Sequence, residues 1–303
     1  MKIAVIGPGA MGCLFAAYLK EGGLDVSLID FRSDRVRQLS EKGIRIEGVR
    51  GEHRVRVPVT DDAASLGVVD LVMLWVKAHQ TERALSQHMA LVGKDTLIWT
   101  AQNGIGNAET VARLAGDKKV LGGSTTMGAN LRSTGHIHHA GEGDSFIGEV
   151  SGGVTERVKH IAETISRAGI KIQVSDDIQK VIWTKLLVNV GINALTAILK
   201  VRNGVLVEHE SSLALMNAAV DEAIQVARSQ GYEFDRDAVI GRVREVARLT
   251  AANRSSMLQD VLAGVKTEID YINGGIASLG DYPVNNTLTQ LVRAIEATGG
   301  GEQ

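Results

Sequence analysis

The sequence predicts an α/β protein whose amino-terminal part is a Rossmann-type, doubly wound sheet with an added antiparallel portion, followed by an all-helical carboxy-terminal domain. Three observations carry this. Short β-branched runs alternate with helix-like segments up to about residue 175, and a glycine-rich turn joins the first strand to the first helix. From residue 176 onward Leu, Ala and Val recur at helical intervals, and Pro283 is the only proline. The boundaries are therefore set at 1–175 and 176–303, and 303 residues suffice for two cores at roughly 150 residues per domain.

Residues 2–6 form a short β-branched run, followed by "GPGAMG" and by apolar residues at helical spacing over 14–19. A second strand over 26–29 ends at Asp30, and Ser33 is the expected N-cap of a helix through Leu39. "GIRIEGVRGEHRVRVPV" alternates apolar and charged residues about a glycine-containing centre, as a half-exposed hairpin would. "VVDLVMLWV" and "TLIWT" are near-continuous apolar runs, suited to strands covered on both faces. "GANLRSTGHIHHAGEGDSFIGE" predicts the antiparallel portion, and "IKIQV" at 170–174 one last strand.

Composition narrows the function. With 33 basic and 35 acidic residues the net charge is -2, the basic residues are dispersed and aromatics make up 4%, so neither nucleic acid nor a membrane surface is the expected partner. The apolar start resembles a secretory leader, but Pro8 and the glycines interrupt it, and no uninterrupted apolar run reaches the ~18 residues of a membrane span. A single cysteine, Cys13, permits no intrachain disulfide and fits a reducing, cytoplasmic setting. His136, His138 and His139 lie on a predicted strand whose alternation sends neighbours to opposite faces; His139 is read as structural, and no metal is expected.

"GPGAMG" at 7–12 matches G-x-G-x-x-G between strand and helix. Gly7 permits the tight turn, Gly9 admits a pyrophosphate against backbone N–H groups, and Gly12 lets the helix lie close to the strand, with Pro8, Ala10 and Met11 completing the loop. Asp30, eighteen residues past Gly12, can accept from a ribose 2′-hydroxyl, which favours NAD. Arg32, with Arg35 and Arg37 nearby, can instead pair with a 2′-phosphate if Asp30 turns away, although a solvated face is the simpler reading of the latter two. Lys77 and Asn103 each follow a predicted strand, at the rim where open parallel sheets hold ligands.

In the helical half, Lys185, Asn189 and Asn193 stand four residues apart among Leu186, Leu187, Val188, Ile192 and Leu195. This spacing puts an ammonium and two amides on one slowly drifting stripe, which must find partners or cost stability. Thr267 with Asp270 has the look of a capping arrangement that would hold Glu268 in the first turn of a helix. Ser256 is free by sequence to bond back to its own helix.

The amino-terminal "IGPGAMG", "VKAHQT", "QNGIGN", "GEGDSFIGE", "KLLVNVGINALTA" and "SSMLQDVLAGVKTEIDYING" together resemble the ketopantoate reductase (2-dehydropantoate 2-reductase) family, in order from residue 3 to residue 274. The resemblance implies reduction of 2-dehydropantoate to (R)-pantoate in pantothenate synthesis, with NADPH as the usual hydride donor and NADH admitted by Asp30. It implies Lys185 as general acid, Glu268 as the group orienting substrate and lysine, and Asn103, Asn189, Asn193, Asn253 and Ser256 at the substrate, with Lys77 near cofactor and substrate. Two other readings stay open: a reductase of another 2-keto acid, and a dinucleotide-binding regulator without turnover. A homodimer through the long helices is also left open.

Overall fold

The structure, a computed structural model, describes residues 1–299. It falls into two compact units, one formed by Met1–Gln102 with Asn107–Val181 and the other by Asn103–Gly106 with Ile182–Gln303. The chain passes between them inside the helix that begins at Ile178.

The first unit begins with β1 (Lys2–Ile6), α1 (Ala10–Glu21), β2 (Asp25–Ile29), α2 (Ser33–Lys42), β3 (Ile44–Gly48), β4 (His53–Val55), β5 (Val59–Thr60) and β6 (Leu71–Leu74). It continues with α3 (Thr81–Gln87), β7 (Leu97–Thr100), α4 (Asn107–Ala115), β8 (Val120–Thr125), β9 (Gly128–Ser133), β10 (His136–Gly141), β11 (Ser145–Glu149), α5 (Glu156–Arg167) and β12 (Ile172–Val174). Eight strands make the main sheet, in the order β12-β11-β8-β7-β6-β1-β2-β5. It is parallel from β5 to β8 and turns antiparallel at the β8–β11 pair. The apolar runs at 71–74 and 97–100 are buried at every position, as strands inside a two-sided α/β sheet must be.

A second sheet, β4-β3-β10-β9, is the antiparallel addition, with one parallel pair between β3 and β10. Helix α1 packs against both β1–β2 and β3, β4, β9 and β10, which explains why it is apolar on all sides and why its sequence imitates a leader. Tyr18 on α1 closes this contact. Its hydroxyl lies 2.7 Å from His139 Nδ1, and His139 Nε2 lies 3.1 Å from the Gly141 carbonyl. One donor arrangement satisfies both: Tyr18 O–H donates to Nδ1 and Nε2–H donates to the carbonyl, a neutral imidazole. Burial lowers the His139 pKa and lifts that of Tyr18 to about 12, so neither ionises near neutrality. His136 and His138 instead face Glu47, on the opposite side of the strand. Among the described residues no group of three or more His, Cys, Asp or Glu side chains is arranged to hold a metal ion.

One local expectation fails. Ser33 does not cap α2; the extended Arg32 does, without a side-chain bond, and the helix runs on to Lys42 rather than ending at Leu39. The Ser33 hydroxyl is taken by Asp61, a partner on the neighbouring loop that local spacing does not reveal.

In the second unit lie most of α6 (Ile178–Leu199) and all of α7 (Glu210–Ser229), α8 (Arg236–Leu249), α9 (Ser256–Leu262), α10 (Asn273–Ala277) and α11 (Pro283–Ala297). No strand occurs among its described residues. By length and composition α6 could cross a membrane, but most of its apolar positions are filled by this unit's own packing. Gly191 shows how closely: a Cβ there would stand 2.8 Å from Val243 and 2.9 Å from Val220, so α7 and α8 approach α6 where it has no side chain. A buried polar joint ties the helices together. Asn273 Nδ2 donates to the Val190 carbonyl (3.1 Å) and to Asn285 Oδ1 (2.9 Å), while Asn285 donates to Ala219 O and to Glu222. Glu222 in turn accepts from the backbone N–H groups of Val284 and Asn285 at the start of α11.

Candidate active site

The glycine turn is built as its three positions require. Gly7 has φ +104, and a Cβ there would meet the 75–76 backbone at 2.8–2.9 Å. At Gly12 a Cβ would lie 1.9 Å from the Gly7 carbonyl, so glycine is what lets α1 start against the turn. Gly9 differs. Its nearest obstacle is Trp75 O at 3.9 Å, which leaves open space over the first turn of α1, where Gly9 is N-cap with no side chain satisfying the free N–H groups. Close packing at two glycines and space at the third fit a pyrophosphate held by backbone donors. Pro8, Ala10 and Met11 line the same loop; the Pro8 carbonyl accepts from Cys13 Sγ, and Met11 packs onto the core below.

Beside this turn the Gly7 N–H donates to Ile29 O (3.1 Å), fixing the end of β2 against it. Asp30 follows, 3% exposed, with both oxygens engaged: Arg35 reaches Oδ2 through Nε (2.5 Å) and Oδ1 through its terminal nitrogen (2.6 Å), and the Arg32 N–H donates to Oδ1 at 3.3 Å. The solvated face read for Arg35 is thus corrected, since its guanidinium is committed to a buried carboxylate. Arg32 points its side chain at Asp34 instead, in an exposed bidentate pair. Lys77, partly buried, precedes the short turn Ala78–Gln80 beyond β6, on the carboxyl side of the sheet.

In the second unit the polar stripe lies on α6. Asn193 is buried, while Lys185 and Asn189 keep partial exposure. Burial around the Lys185 amine lowers its pKa to about 8, with the Glu268 carboxylate opposing that fall. Glu268 is 5% exposed and accepts a hydrogen bond from Asn103 Nδ2 (2.9 Å). The structure therefore draws Asn103, Lys185 and Glu268 together from three distant parts of the sequence.

The capping expectation for residues 267–270 is corrected. Glu268 stands at the N-cap of a short 3-10 turn, Ile269–Tyr271, with no side-chain capping bond. Thr267 Oγ1 accepts from Ile269 N, and Asp270 is drawn away to Arg293. The carboxylate is positioned by backbone instead. Thr267 N donates to Glu296 (2.8 Å), Glu268 O accepts from Tyr271 and Ile272, and Ile105 N donates to Tyr271 O at 3.0 Å. Gly104, with φ +86, makes the approach of 103–106 to Tyr271 sterically open.

Asn253 and Ser256 are exposed at the start of α9. Sequence reasoning missed the buried Ser255 beside them, which caps α9 by accepting from Leu258 N (3.1 Å) and whose hydroxyl lies 2.7 Å from Thr196 Oγ1. Because Thr196 O–H donates to Ile192 O, Ser255 supplies the proton of that bond and ties α9 to α6 one turn beyond Asn193. The available signal was the serine three residues ahead of a buried leucine.

Comparison with known proteins joins both sites in one lineage. The pattern described as "Ketopantoate reductase PanE/ApbA" matches residues 3–152, and "Ketopantoate reductase PanE/ApbA C terminal" matches residues 177–296. The 2-dehydropantoate 2-reductase of Archaeoglobus fulgidus is 38% identical over 98% of each chain, and that of Halobacterium salinarum 35% over 99% of this chain and 100% of its own. Among solved structures, a ternary complex of D-mandelate dehydrogenase with NADH and anilino(oxo)acetate superposes with TM-score 0.94 at 30% identity over the whole of both chains. A ketopantoate reductase from Ralstonia eutropha reaches TM-score 0.91 at 31%, over 99% of this chain and 100% of its own. With matches over both the glycine turn and the polar helix, the chain belongs to the ketopantoate reductase family.

Proposed function

We propose that the chain reduces 2-dehydropantoate to (R)-pantoate, with Lys185 as the proton donor. The observation that carries this is the placing of the Lys185 amine, on an otherwise apolar helix, beside the buried Glu268 carboxylate that Asn103 holds at 2.9 Å; burial lowers the amine's pKa to about 8. A general acid works best when its pKa lies near the working pH, and a positioned one contributes ~10²–10⁴-fold.

A nicotinamide dinucleotide, when bound, supplies the hydride for C2 of the keto acid. The residues that would hold it are the loop Gly7–Gly12, Asp30, Arg32, Lys77 and Asn103; NADPH is the family's usual donor, and Asp30 admits NADH. Lys185 Nζ gives a proton to the carbonyl oxygen as it becomes an alkoxide, leaving a neutral amine that regains its proton from water. Glu268 favours the charged amine before each turnover. Asn103 holds the Glu268 carboxylate in place, and Asn189, Asn193, Asn253 and Ser256 offer donors and acceptors for the substrate's hydroxyl and carboxylate without adding charge. This reading takes a small 2-keto acid as the ligand and a cytoplasmic setting, which the lone, buried Cys13 suits.

The similarity to D-mandelate dehydrogenase favours a second reading, in which another 2-keto acid is the substrate. Oxidation of NADPH and of NADH is to be followed with 2-dehydropantoate and with a panel of 2-keto acids. The proposal expects 2-dehydropantoate to give the highest kcat/KM. A better aryl or alkyl keto acid would favour the second reading, and no oxidation with any of them would leave a binding protein without turnover.

A further inference from the structure

Asn103, Lys185 and Glu268 come from three separate stretches of chain, and a buried amide with no catalytic duty so far lies where those stretches meet. Glu268 opens a turn in which its carbonyl accepts from Tyr271 N (3.0 Å) and Ile272 N (3.1 Å). The residues that follow grip the loop carrying Asn103. Ile105 N donates to Tyr271 O at 3.0 Å, and a Cβ on Gly275 would stand 2.9 Å from Ile105 Cγ1, so glycine lets α10 lie against that loop. Between these contacts stands Asn273, fully buried. Its Nδ2 donates at 3.1 Å to the carbonyl of Val190, inside α6, five residues past Lys185 and next to Asn189. A helical carbonyl can take this further donor on its second lone pair.

We propose that Asn273 is a positioning residue for the reaction: it pins the 268–275 segment to α6 and so sets where the Glu268 carboxylate stands relative to the Lys185 amine. The inference rests on the general-acid reading of Lys185 and deepens it. Two features separate this bond from one kept for stability alone. The first is that the amide has a single permitted orientation. Asn285 spends its own Nδ2 on Ala219 O (2.9 Å) and on Glu222 (2.8 Å), which leaves its Oδ1 as an acceptor 2.9 Å from Asn273 Nδ2. With the Asn273 amine group directed at two acceptors, a flipped amide would lose both bonds, and the 268–275 segment has one seat on the helix. The second is that Asn273 Oδ1 is buried with no hydrogen-bond partner among the described residues. Such an atom is costly, so the side chain gives up stability at its oxygen while its nitrogen fixes geometry. The seat matters because attraction between charges falls with distance. Drawing a carboxylate back from about 4 to about 6 Å of an ammonium lowers the ammonium's pKa by about one unit at the effective dielectric of a protein site, and a misplacement of about 1 Å can cost about 10²-fold in rate.

The test uses the full chain and compares wild type with Asn273→Leu, Asn273→Ala, Glu222→Gln and Glu268→Gln, each checked for folding by circular dichroism and melting temperature. Leucine approximates the shape of asparagine without its donors, and alanine removes the donors with no risk of overfilling the site. Glu222→Gln loosens the other end of the same joint, at the start of α11, and leaves the bond to Val190 in place. Expected in both Asn273 variants are a roughly 10- to 100-fold fall in kcat for keto-acid reduction, an alkaline limb of kcat/KM lowered by about one pH unit, and an unchanged dinucleotide Kd. Glu222→Gln should melt earlier with kcat and limb as in wild type. A folded Asn273 variant with wild-type kcat and limb, where Glu268→Gln does move the limb, overturns the positioning role alone. A limb that Glu222→Gln shifts as far as Asn273→Leu does also overturns it, since general loosening of the helices then suffices. A limb that no variant moves, Glu268→Gln included, overturns the general-acid reading together with it.

Discussion

Replacing Glu268 by Gln tests how the proton donor is kept charged. The Lys185 pKa of about 8 is the outcome of two opposed influences, desolvation pulling it down from 10.5 and the Glu268 carboxylate holding it up. Glutamine retains an oxygen that can accept from Asn103 but carries no charge. An opposite charge at close range shifts a pKa by roughly 1–3 units, so its loss moves the lysine to about 7 or below. At pH 7.5 the protonated fraction then falls by roughly threefold for a one-unit shift and about 25-fold for two. The assay is the pH dependence of kcat/KM for 2-dehydropantoate reduction, from pH 5.5 to 9.5. Wild type should lose activity as pH rises through about 8, and Glu268→Gln should lose it at lower pH while recovering much of its rate near pH 6. An alkaline limb that stays near pH 8 in the variant would refute the coupling. The same shift bears on stability. Since the folded state holds this proton less tightly than the unfolded chain, the group costs about 3 kcal/mol below pH 8, and that cost is relieved as pH rises from about 8 to 10.5.

Three other outcomes are expected. Gly9→Ala should fold normally, with its nearest obstacle 3.9 Å away, yet bind dinucleotide more weakly in a fluorescence titration; Gly12→Ala, whose Cβ would lie 1.9 Å from Gly7 O, should lower the melting temperature as well. Asp30→Asn should release Arg35, raise the ratio of NADPH to NADH in kcat/KM, and cost about 3 kcal/mol in urea unfolding because a buried ion pair loses one partner. Asn273→Leu should cost about 1–3 kcal/mol by leaving Asn285 and the Val190 carbonyl without their donor, while its dinucleotide affinity stays at the wild-type value.

What could be read from sequence divides along the range of the interactions. The strands over 71–74 and 97–100 were readable because burial on both faces writes itself as an unbroken apolar run. The opposite fates of His138 and His139 followed from strand alternation, and the close packing at Gly7 and Gly12 from the spacing of the glycine turn. Caps were less secure, because a hydroxyl has rivals for its bond: Ser33 turns to Asp61 and Asp270 to Arg293, partners 28 and 23 residues away. The candidate site was visible in parts only. A stripe on one helix carries its own periodicity, so Lys185, Asn189 and Asn193 could be grouped from spacing. The bond between Asn103 and Glu268 spans 165 residues, and no local pattern encodes it; strand order put Asn103 at the sheet rim and capping residues drew attention to Glu268, but only the family resemblance assigns both to one substrate site. The Asp30–Arg35 pair was missed for a related reason, since it joins a strand end to the next helix across a turn whose path the sequence does not reveal.

The claim on which the account rests is that the Lys185 amine delivers the proton in ketone reduction. The most direct measurement compares Lys185→Met with wild type in steady-state reduction of 2-dehydropantoate and in dinucleotide titration. The account predicts a fall in kcat of about 10²–10⁴-fold with dinucleotide affinity unchanged. Turnover within a few-fold of wild type would contradict it.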